Sequence, residues 1–307
     1  MSAWISVQDL HLSRGGRPVL RGITSELTGA AVGLVGANGA GKSTLIGALL
    51  GVLKPERGSV RVMNLEVPRQ AMEVRARGGV MAEQAGVFPG GSGVDAVAFA
   101  GALSGLGRRE ALRRAHRALD ALDVGEERYR PSKTYSTGMR QRTKLAMCLV
   151  HDPEFLILDE PTVGLDPPGR RQLLRLIRDL RDEGRRILLS THILQDAEFV
   201  CDDMLLLEAG TVAFSGPVTD LTQGSADIYL AKGEGLDAAF VSMLQGAGMT
   251  AELRDGARVA LTVTGDDELR RFWAAVEQYG AEVRSLARDV PTLEQAVVDV
   301  MEGSRAR

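Results

Sequence analysis

The stretch GANGAGKST, from Gly36 to Thr44, decides the fold of this chain because it matches the pattern GxxxxGK[ST]. The apolar run 31–35 precedes it, and a helix is predicted from Lys42 to about Leu53. Glycines let backbone N–H groups curl around phosphate oxygens, and the helix presents its positive dipole end to the same anion. Lys42 supplies a charge to the β- and γ-phosphates, and Ser43 supplies an oxygen to Mg²⁺. The sequence therefore predicts a strand–loop–helix unit that binds the phosphates of a nucleotide.

A second motif, FLILDE, occupies residues 155–160. Its four apolar residues predict a strand that is buried on both faces. Such a strand delivers Asp159 and Glu160 to the sheet edge at which open α/β folds bind ligands. Asp159 suits a direct or indirect contact with Mg²⁺, and Glu160 suits the polarisation of an attacking water as a general base. Strands often end in acids, so the motif by itself leaves a purely structural role equally open.

Four further motifs lie in a fixed order along the chain. They are Gln84 after the apolar run 79–81, YSTGM at 135–139, GLD at 164–166 and LLSTH at 188–192. Together with the two motifs above, this series resembles the ATPase subunits of ABC transporters, and the resemblance covers roughly residues 3–225. The conjunction is far more specific than any single motif.

The resemblance implies a role for each of these positions. Gln84 would sense both Mg²⁺ and the membrane subunit, and His192 would contact the γ-phosphate and help to order the water. Ser136 and Gly138 would face the γ-phosphate of an ATP held by the other subunit, as the start of a helix can do. Asp166 would belong to a loop that crosses the dimer interface near the active site.

Two features depart from the usual family pattern. Tyr135, Thr137 and Met139 differ from the common signature LSGGQ, although the form YSxGM is familiar among drug-exporter ATPases. Arg14 stands where the family usually has an aromatic residue that stacks on adenine. A guanidinium plane also stacks on a base, so we expect ATP binding to survive with looser base selectivity.

Apolar strands that alternate with helices predict an α/β fold with a mainly parallel sheet. The resemblance makes this a P-loop NTPase of the ABC ATPase type, with a nucleotide-binding domain over residues 1–225 and a helical subdomain at about 85–150. From about residue 226 the order strand, helix, strand, strand, helix, strand predicts a small α+β ferredoxin-like accessory domain over residues 226–307. A single strand is predicted from Ser59 to Val67.

Composition narrows the possible partners. The chain has 307 residues with 44% apolar and 25% charged side chains, which is typical of a globular protein. Its net charge of −3 disfavours a nucleic-acid partner.

Cys148 and Cys201 form no CxxC pair, so neither a disulfide framework nor a zinc site is indicated. No stretch approaches the roughly 20 apolar residues that span a bilayer, so another chain is expected to cross the membrane.

The function implied by the resemblance is hydrolysis of ATP to ADP and phosphate, coupled to transport. A homodimer or close heterodimer would hold two ATP and drive a separate transmembrane permease from the cytoplasmic face of the cell membrane. The YSTGM spelling and the appended C-terminal region resemble bacterial exporters of drugs, antibiotics or lipid-like compounds. Two alternatives stay open: a soluble ABC-type ATPase that acts on a non-membrane target, and a non-hydrolysing regulatory ATP-binding module.

Three sets of site residues are predicted. The catalytic set is Glu160, His192, Lys42 and Gln84. The nucleotide-binding set is Gly36, Ala37, Asn38, Gly39, Ala40, Gly41, Lys42, Ser43, Thr44, Arg14, Ser136, Gly138 and Asp166. The metal-binding set is Ser43, Gln84 and Asp159, and the cofactors are ATP and Mg²⁺.

Overall fold

The computed structural model of the chain describes residues 3–83, 91–222, 227–254, 258–263, 265–289 and 292–305. The chain divides into two compact units, Met1–Val218 with Val300–Arg307, and Thr219–Asp299. Gln84, a predicted catalytic and metal-binding residue, lies outside the described residues. No described helix is both long and apolar enough to span a bilayer.

The first unit alternates strands and helices along the chain. Its first elements are β1 (Ile5–Arg14), β2 (Arg17–Leu27), β3 (Ala31–Val35), α1 (Lys42–Leu49), β4 (Arg57–Val62), β5 (Leu65–Val67), α2 (Ala71–Arg77) and β6 (Gly78–Met81). Those that follow are α3 (Gly93–Leu103), α4 (Arg108–Ala121), 3-10 turns at Gly125–Tyr129 and Ser132–Thr134, α5 (Thr137–Leu149), β7 (Phe155–Asp159), α6 (Pro167–Asp182), β8 (Arg186–Thr191), α7 (Leu194–Val200), β9 (Asp203–Glu208) and β10 (Thr211–Pro217). The short helix α8 (Val218–Thr222) begins at the last residue before the division between the two units.

A six-stranded sheet in the order β10-β9-β3-β8-β7-β6 forms the centre of the first unit. Its strands run parallel except for β10, which pairs antiparallel with β9. Every residue of β3 and β7 is buried, as expected for continuous apolar strands covered on both faces. The predicted mainly parallel sheet is therefore confirmed. Because β8 lies between β3 and β7, the segments that leave the carboxyl ends of these three strands are neighbours.

A second sheet in the order β2-β1-β4-β5 is antiparallel. The single strand predicted from Ser59 to Val67 is wrong, because β4 and β5 form a hairpin that pairs Val60 with Val67. The chain reverses at Met63 and Asn64, whose φ angles are 50° and 65°. Asn is one of the few residues that tolerate this left-handed conformation, so Asn64 was an available turn signal. The short helix α2 was also not predicted.

The helical section predicted from about Val94 to Asp123 forms two helices, α3 and α4, which pack against each other and against α5. The break between them lies at residues 104–107, where Gly105 has a φ of 90°. Ser92 and Asp95 form a reciprocal capping box at the start of α3. The YSTGM motif lies where the third of these helices, α5, begins.

The second unit contains β11 (Asp227–Glu234), α9 (Ala238–Gly246), β12 (Ala251–Arg254), β13 (Arg258–Val263), α10 (Asp266–Tyr279) and β14 (Glu282–Arg288). The final helix, α11, spans Leu293–Arg305. All strand pairs in this sheet are antiparallel, in the order β12-β13-β11-β14. This order and the β-α-β-β-α-β sequence confirm the predicted ferredoxin-like fold. Phe240 and Phe272 are fully buried in its core.

Candidate functional site

The loop between β3 and α1 depends on glycine at three positions for different reasons. A Cβ at position 36 would lie 2.5 Å from the carbonyl oxygen of Leu207, so the backbone there leaves no space for a side chain. Gly41 has a φ of 110°, and a Cβ at that position would lie 2.8 Å from Leu20 Cδ2. Position 39 combines a φ of 86° with open space. The loop is therefore held in one shape by backbone conformation and by packing.

This loop borders a pocket of about 460 Å³ at the carboxyl edge of the parallel sheet. The pocket brings together the phosphate-loop motif, Asp159 at the end of β7 with Glu160 after it, and the β1–β2 hairpin. Its lining residues are Arg14, Val19, Ala37, Asn38, Gly39, Gly41, Lys42, Ser43, Thr44, Glu83, Asp159 and Glu160. Most of the predicted nucleotide-binding set thus shares one cavity, although Gly36 and Ala40 of the loop do not line it.

Lys42 reaches across the loop from the first turn of α1. Its side chain is 7% exposed, and Nζ donates a hydrogen bond to the carbonyl oxygen of Gly36 at 2.6 Å. The same nitrogen lies 3.6 Å from Glu160 Oε1. A buried ammonium requires charge and hydrogen-bond partners, and Lys42 has both within the pocket.

The Asp159 carboxylate is held by hydroxyl groups on both sides. Ser43 Oγ donates to Oδ2 at 3.3 Å, and Ser190 Oγ donates to Oδ1 at 2.7 Å. Ser190 is fully buried in β8, beside the last residue of β7. Its part in the site was not predicted, although a serine within the apolar run of β8 was a signal for it. The two hydroxyls fix the orientation of the carboxylate relative to α1.

Glu160 combines an unusual backbone with a buried side chain. Its φ is 50°, a conformation rare for residues other than glycine, and its N–H donates to the Ser190 carbonyl oxygen at 2.9 Å. The side chain is 6% exposed, and His192 Nδ1 lies 2.9 Å from Oε2. The other oxygen, Oε1, is buried and accepts no hydrogen bond. Strained backbone and an unsatisfied buried acceptor are both features that concentrate at functional sites.

Three predicted binding residues beyond the phosphate loop also lie outside the pocket lining. Ser136 caps α5, its Oγ accepting from the Met139 N–H at 3.3 Å, and Gly138 follows in the first turn of that helix. Asp166 caps α6, its Oδ1 accepting from the Gly169 N–H at 3.2 Å. These caps account for the residue types locally, because each side chain bonds a backbone N–H group at the start of its helix.

Arg14 is exposed and lines the pocket from the β1–β2 hairpin. The two residues after it, Gly15 and Gly16, have φ angles of 56° and 75° and form the hairpin turn. The stacking of Arg14 on a base stays a prediction.

Comparison with known proteins identifies relatives along nearly the whole chain. The family model described as ABC transporter matches residues 24–163. The chain is 33% identical to the daunorubicin resistance ATP-binding protein DrrA3 of Streptomyces coeruleorubidus, over 98% of this chain and 96% of that protein. It is 34% identical to the daunorubicin/doxorubicin resistance ATP-binding protein DrrA of Streptomyces peucetius, over 87% and 82% of the two chains. Among solved structures, cbiO1 of Clostridium perfringens, part of the ABC transporter complex cbiONQ, matches with a TM-score of 0.63 at 28% identity, covering 71% of this chain and 89% of cbiO1.

Proposed function

This chain belongs to the ATP-binding subunits of ABC transporters, and we propose that two copies of it close around two ATP molecules to drive a separate membrane permease. Family membership makes it an ATPase whose hydrolysis of ATP is coupled to transport of the drug-resistance type. The observation that carries the proposed site is the buried Glu160, whose Oε1 accepts no hydrogen bond while Lys42 and His192 flank the carboxylate.

The residues present fit a triphosphate and a divalent cation. The glycine loop and the start of α1 offer backbone N–H groups to phosphate oxygens, and Lys42 adds a positive charge. Ser43 Oγ and Asp159 Oδ2, which lie 3.3 Å apart, would hold Mg²⁺ together with the phosphates. When bound, the ion neutralises charge on the phosphates. Among the described residues no cluster of three His, Cys, Asp or Glu exists, and Mg²⁺ bound with a nucleotide needs only one or two carboxylates.

Glu160 acts as the general base for hydrolysis in this proposal. Its free Oε1 accepts a proton from the attacking water, and His192 orients the carboxylate through Oε2. Lys42 Nζ lies 3.6 Å from Oε1 and would turn to the phosphates when ATP binds. Gln84, from outside the described residues, would complete the metal contacts and sense the permease.

A second copy is required to complete the site. Ser136 and Gly138 begin a 13-residue helix yet do not line the pocket of their own chain. A helix start of this kind binds anions, so it can face the γ-phosphate of an ATP held by the other copy. Asp166 would belong to the loop at the interface between the copies. The γ-phosphate is then neutralised from both sides, and its loss on hydrolysis releases the dimer.

The transported substrate is proposed from the relatives. The names of two of them refer to daunorubicin resistance, and cbiO1 is part of a larger transporter complex. We infer an exporter of drugs, antibiotics or lipid-like compounds, with this chain on the cytoplasmic face of the membrane and the permease as its partner. Residues 1–225 would be the nucleotide-binding domain and residues 226–307 an accessory domain.

The test uses purified Glu160→Gln in light scattering with and without Mg-ATP, beside the hydrolysis rate of the wild type. Loss of a general base lowers turnover by about 10²- to 10⁴-fold. Because ATP binding does not need the base, the variant is expected to accumulate as an ATP-dependent dimer. Glu183→Gln, which removes the same charge from an exposed position after α6, is the matched control and should behave as wild type. A Glu160→Gln protein that binds ATP and stays monomeric would contradict the two-copy site.

A further inference from the structure

Asp196 joins the two segments that leave the carboxyl ends of β7 and β8. It lies in the first turn of α7 and is 1% exposed. Its Oδ2 accepts from Thr162 Oγ1 at 2.6 Å, and its Oδ1 accepts from Arg170 Nε at 2.6 Å. Thr162 is itself 3% exposed, so the contact is shielded from water. A buried carboxylate whose two oxygens both accept hydrogen bonds restrains the segments that it joins.

Each joined segment also carries a residue of the proposed site. Thr162 follows Glu160 by two residues, and Asp196 follows His192 by four. The Glu160–His192 contact of 2.9 Å therefore closes a small ring of contacts, with the Thr162–Asp196 bond on its far side. Within the ring, Thr191 Oγ1 accepts from the Ile193 N–H at 3.0 Å and shapes the turn that leads from His192 into α7.

We propose that Asp196 is a positioning residue for hydrolysis, which holds the His192 segment at a fixed distance from the Glu160 segment. Asp196 does not line the nucleotide pocket, so its loss should change turnover and leave ATP binding nearly intact. The inference rests on the proposed roles of Glu160 and His192. Misplacement of a reacting group by about 1 Å can cost about 10²-fold in rate, which sets the scale of the effect.

The same part of the chain contains a matched control for a purely structural role. Asp203 is also a buried aspartate, 8% exposed, and accepts from the Gly29 N–H at 2.7 Å and from Thr28 Oγ1 at 3.4 Å. It pairs with Val32 at the amino end of β3, whereas the phosphate loop follows the carboxyl end. Asp203→Asn therefore perturbs a comparable buried carboxylate at the opposite edge of the sheet.

The experiment compares Asp196→Asn with Asp203→Asn in the purified full chain, at a temperature where thermal unfolding shows both to be folded. For Asp196→Asn we expect kcat to fall at least about tenfold while KM for ATP changes less than about twofold. Asp203→Asn should keep its kcat within about twofold of the wild type. Wild type and Glu160→Gln are measured in the same assay. An active wild type, an inactive Glu160→Gln and equal kcat values for the two aspartate variants would overturn this inference alone and leave the proposed function standing.

A second pair of variants and a readout other than turnover test the positioning role independently. Thr162→Ser keeps the hydroxyl that Asp196 accepts from, so it should retain more activity than Thr162→Val. The ring resonances of His192 in NMR spectra, assigned with His192→Gln, report the position of the imidazole without any turnover. They should move in Asp196→Asn and in Thr162→Val, and stay in place in Asp203→Asn. Unmoved His192 resonances in both of the former variants would refute the positioning role.

Discussion

Tyr135→Phe tests how the YSTGM motif is held to the rest of the helical segment. The Tyr135 ring is buried, and its hydroxyl accepts from the Gly93 N–H at 2.9 Å and donates to the Arg128 carbonyl oxygen at 3.1 Å. A Cβ at position 93 would lie only 2.5 Å from that hydroxyl oxygen, so the contact also explains glycine at the start of α3. Phenylalanine keeps the ring and removes both hydrogen bonds.

The expected cost follows from the two backbone groups that lose their partner. Each buried group left without a hydrogen bond lowers the free energy of unfolding by about 1–3 kcal/mol. Part of this loss is offset because phenylalanine has no polar hydroxyl to bury, so we expect a net loss of about 2–4 kcal/mol. For a unit of this size, 1 kcal/mol shifts the unfolding midpoint by about 2–4 °C, which predicts a decrease of about 4–16 °C.

Differential scanning calorimetry of both proteins measures this decrease. Tyr129→Phe, at an exposed tyrosine nearby, is the matched control and should lower the midpoint by less than about 2 °C. Burial also raises the pKa of the Tyr135 hydroxyl, so the stability that this group contributes is present below about pH 10 and is lost as the pH rises further. Tyr135→Phe should therefore lose less stability than the wild type above that pH. Equal midpoints for Tyr135→Phe and Tyr129→Phe would refute the reasoning.

Three further predictions concern the pocket and the thiols. Arg14→Ala should weaken ATP binding about two- to fivefold in titration calorimetry if the guanidinium stacks on the base, and unchanged affinity would assign Arg14 to the hairpin alone. Gly36→Ala should abolish stabilisation by ATP in a thermal-shift assay, because its Cβ would meet the Leu207 carbonyl oxygen at 2.5 Å; retained stabilisation would contradict the rigid loop. Burial raises the pKa of Cys148 to about 12 and that of Cys201 further above its ordinary value. Neither thiol should react with a disulfide reagent at pH 8 until the chain is unfolded, and rapid reaction of the folded protein would show that one of them is accessible.

The elements that could be predicted are those whose signals are local. The strand β3 was predicted with its observed bounds because five apolar residues lead into a glycine loop. The hairpin of β4 and β5 was not predicted, because no glycine or proline separates the two strands. The chain reverses there through positive φ angles at Met63 and Asn64. Helix α2 has only seven residues, too few for a clear helical period.

The sequence by itself determined the chemistry of the phosphate loop and the pair Asp159–Glu160, because residue type and spacing within one loop or strand end specify them. It also determined the alternation of strands and helices. Only the tertiary structure decided which hydroxyl group donates to which carboxylate: that of Ser190 to Asp159, and that of Thr162 to Asp196. Those contacts depend on the lateral order of β3, β8 and β7, and strand order is set by long-range packing that no local pattern in a single sequence records.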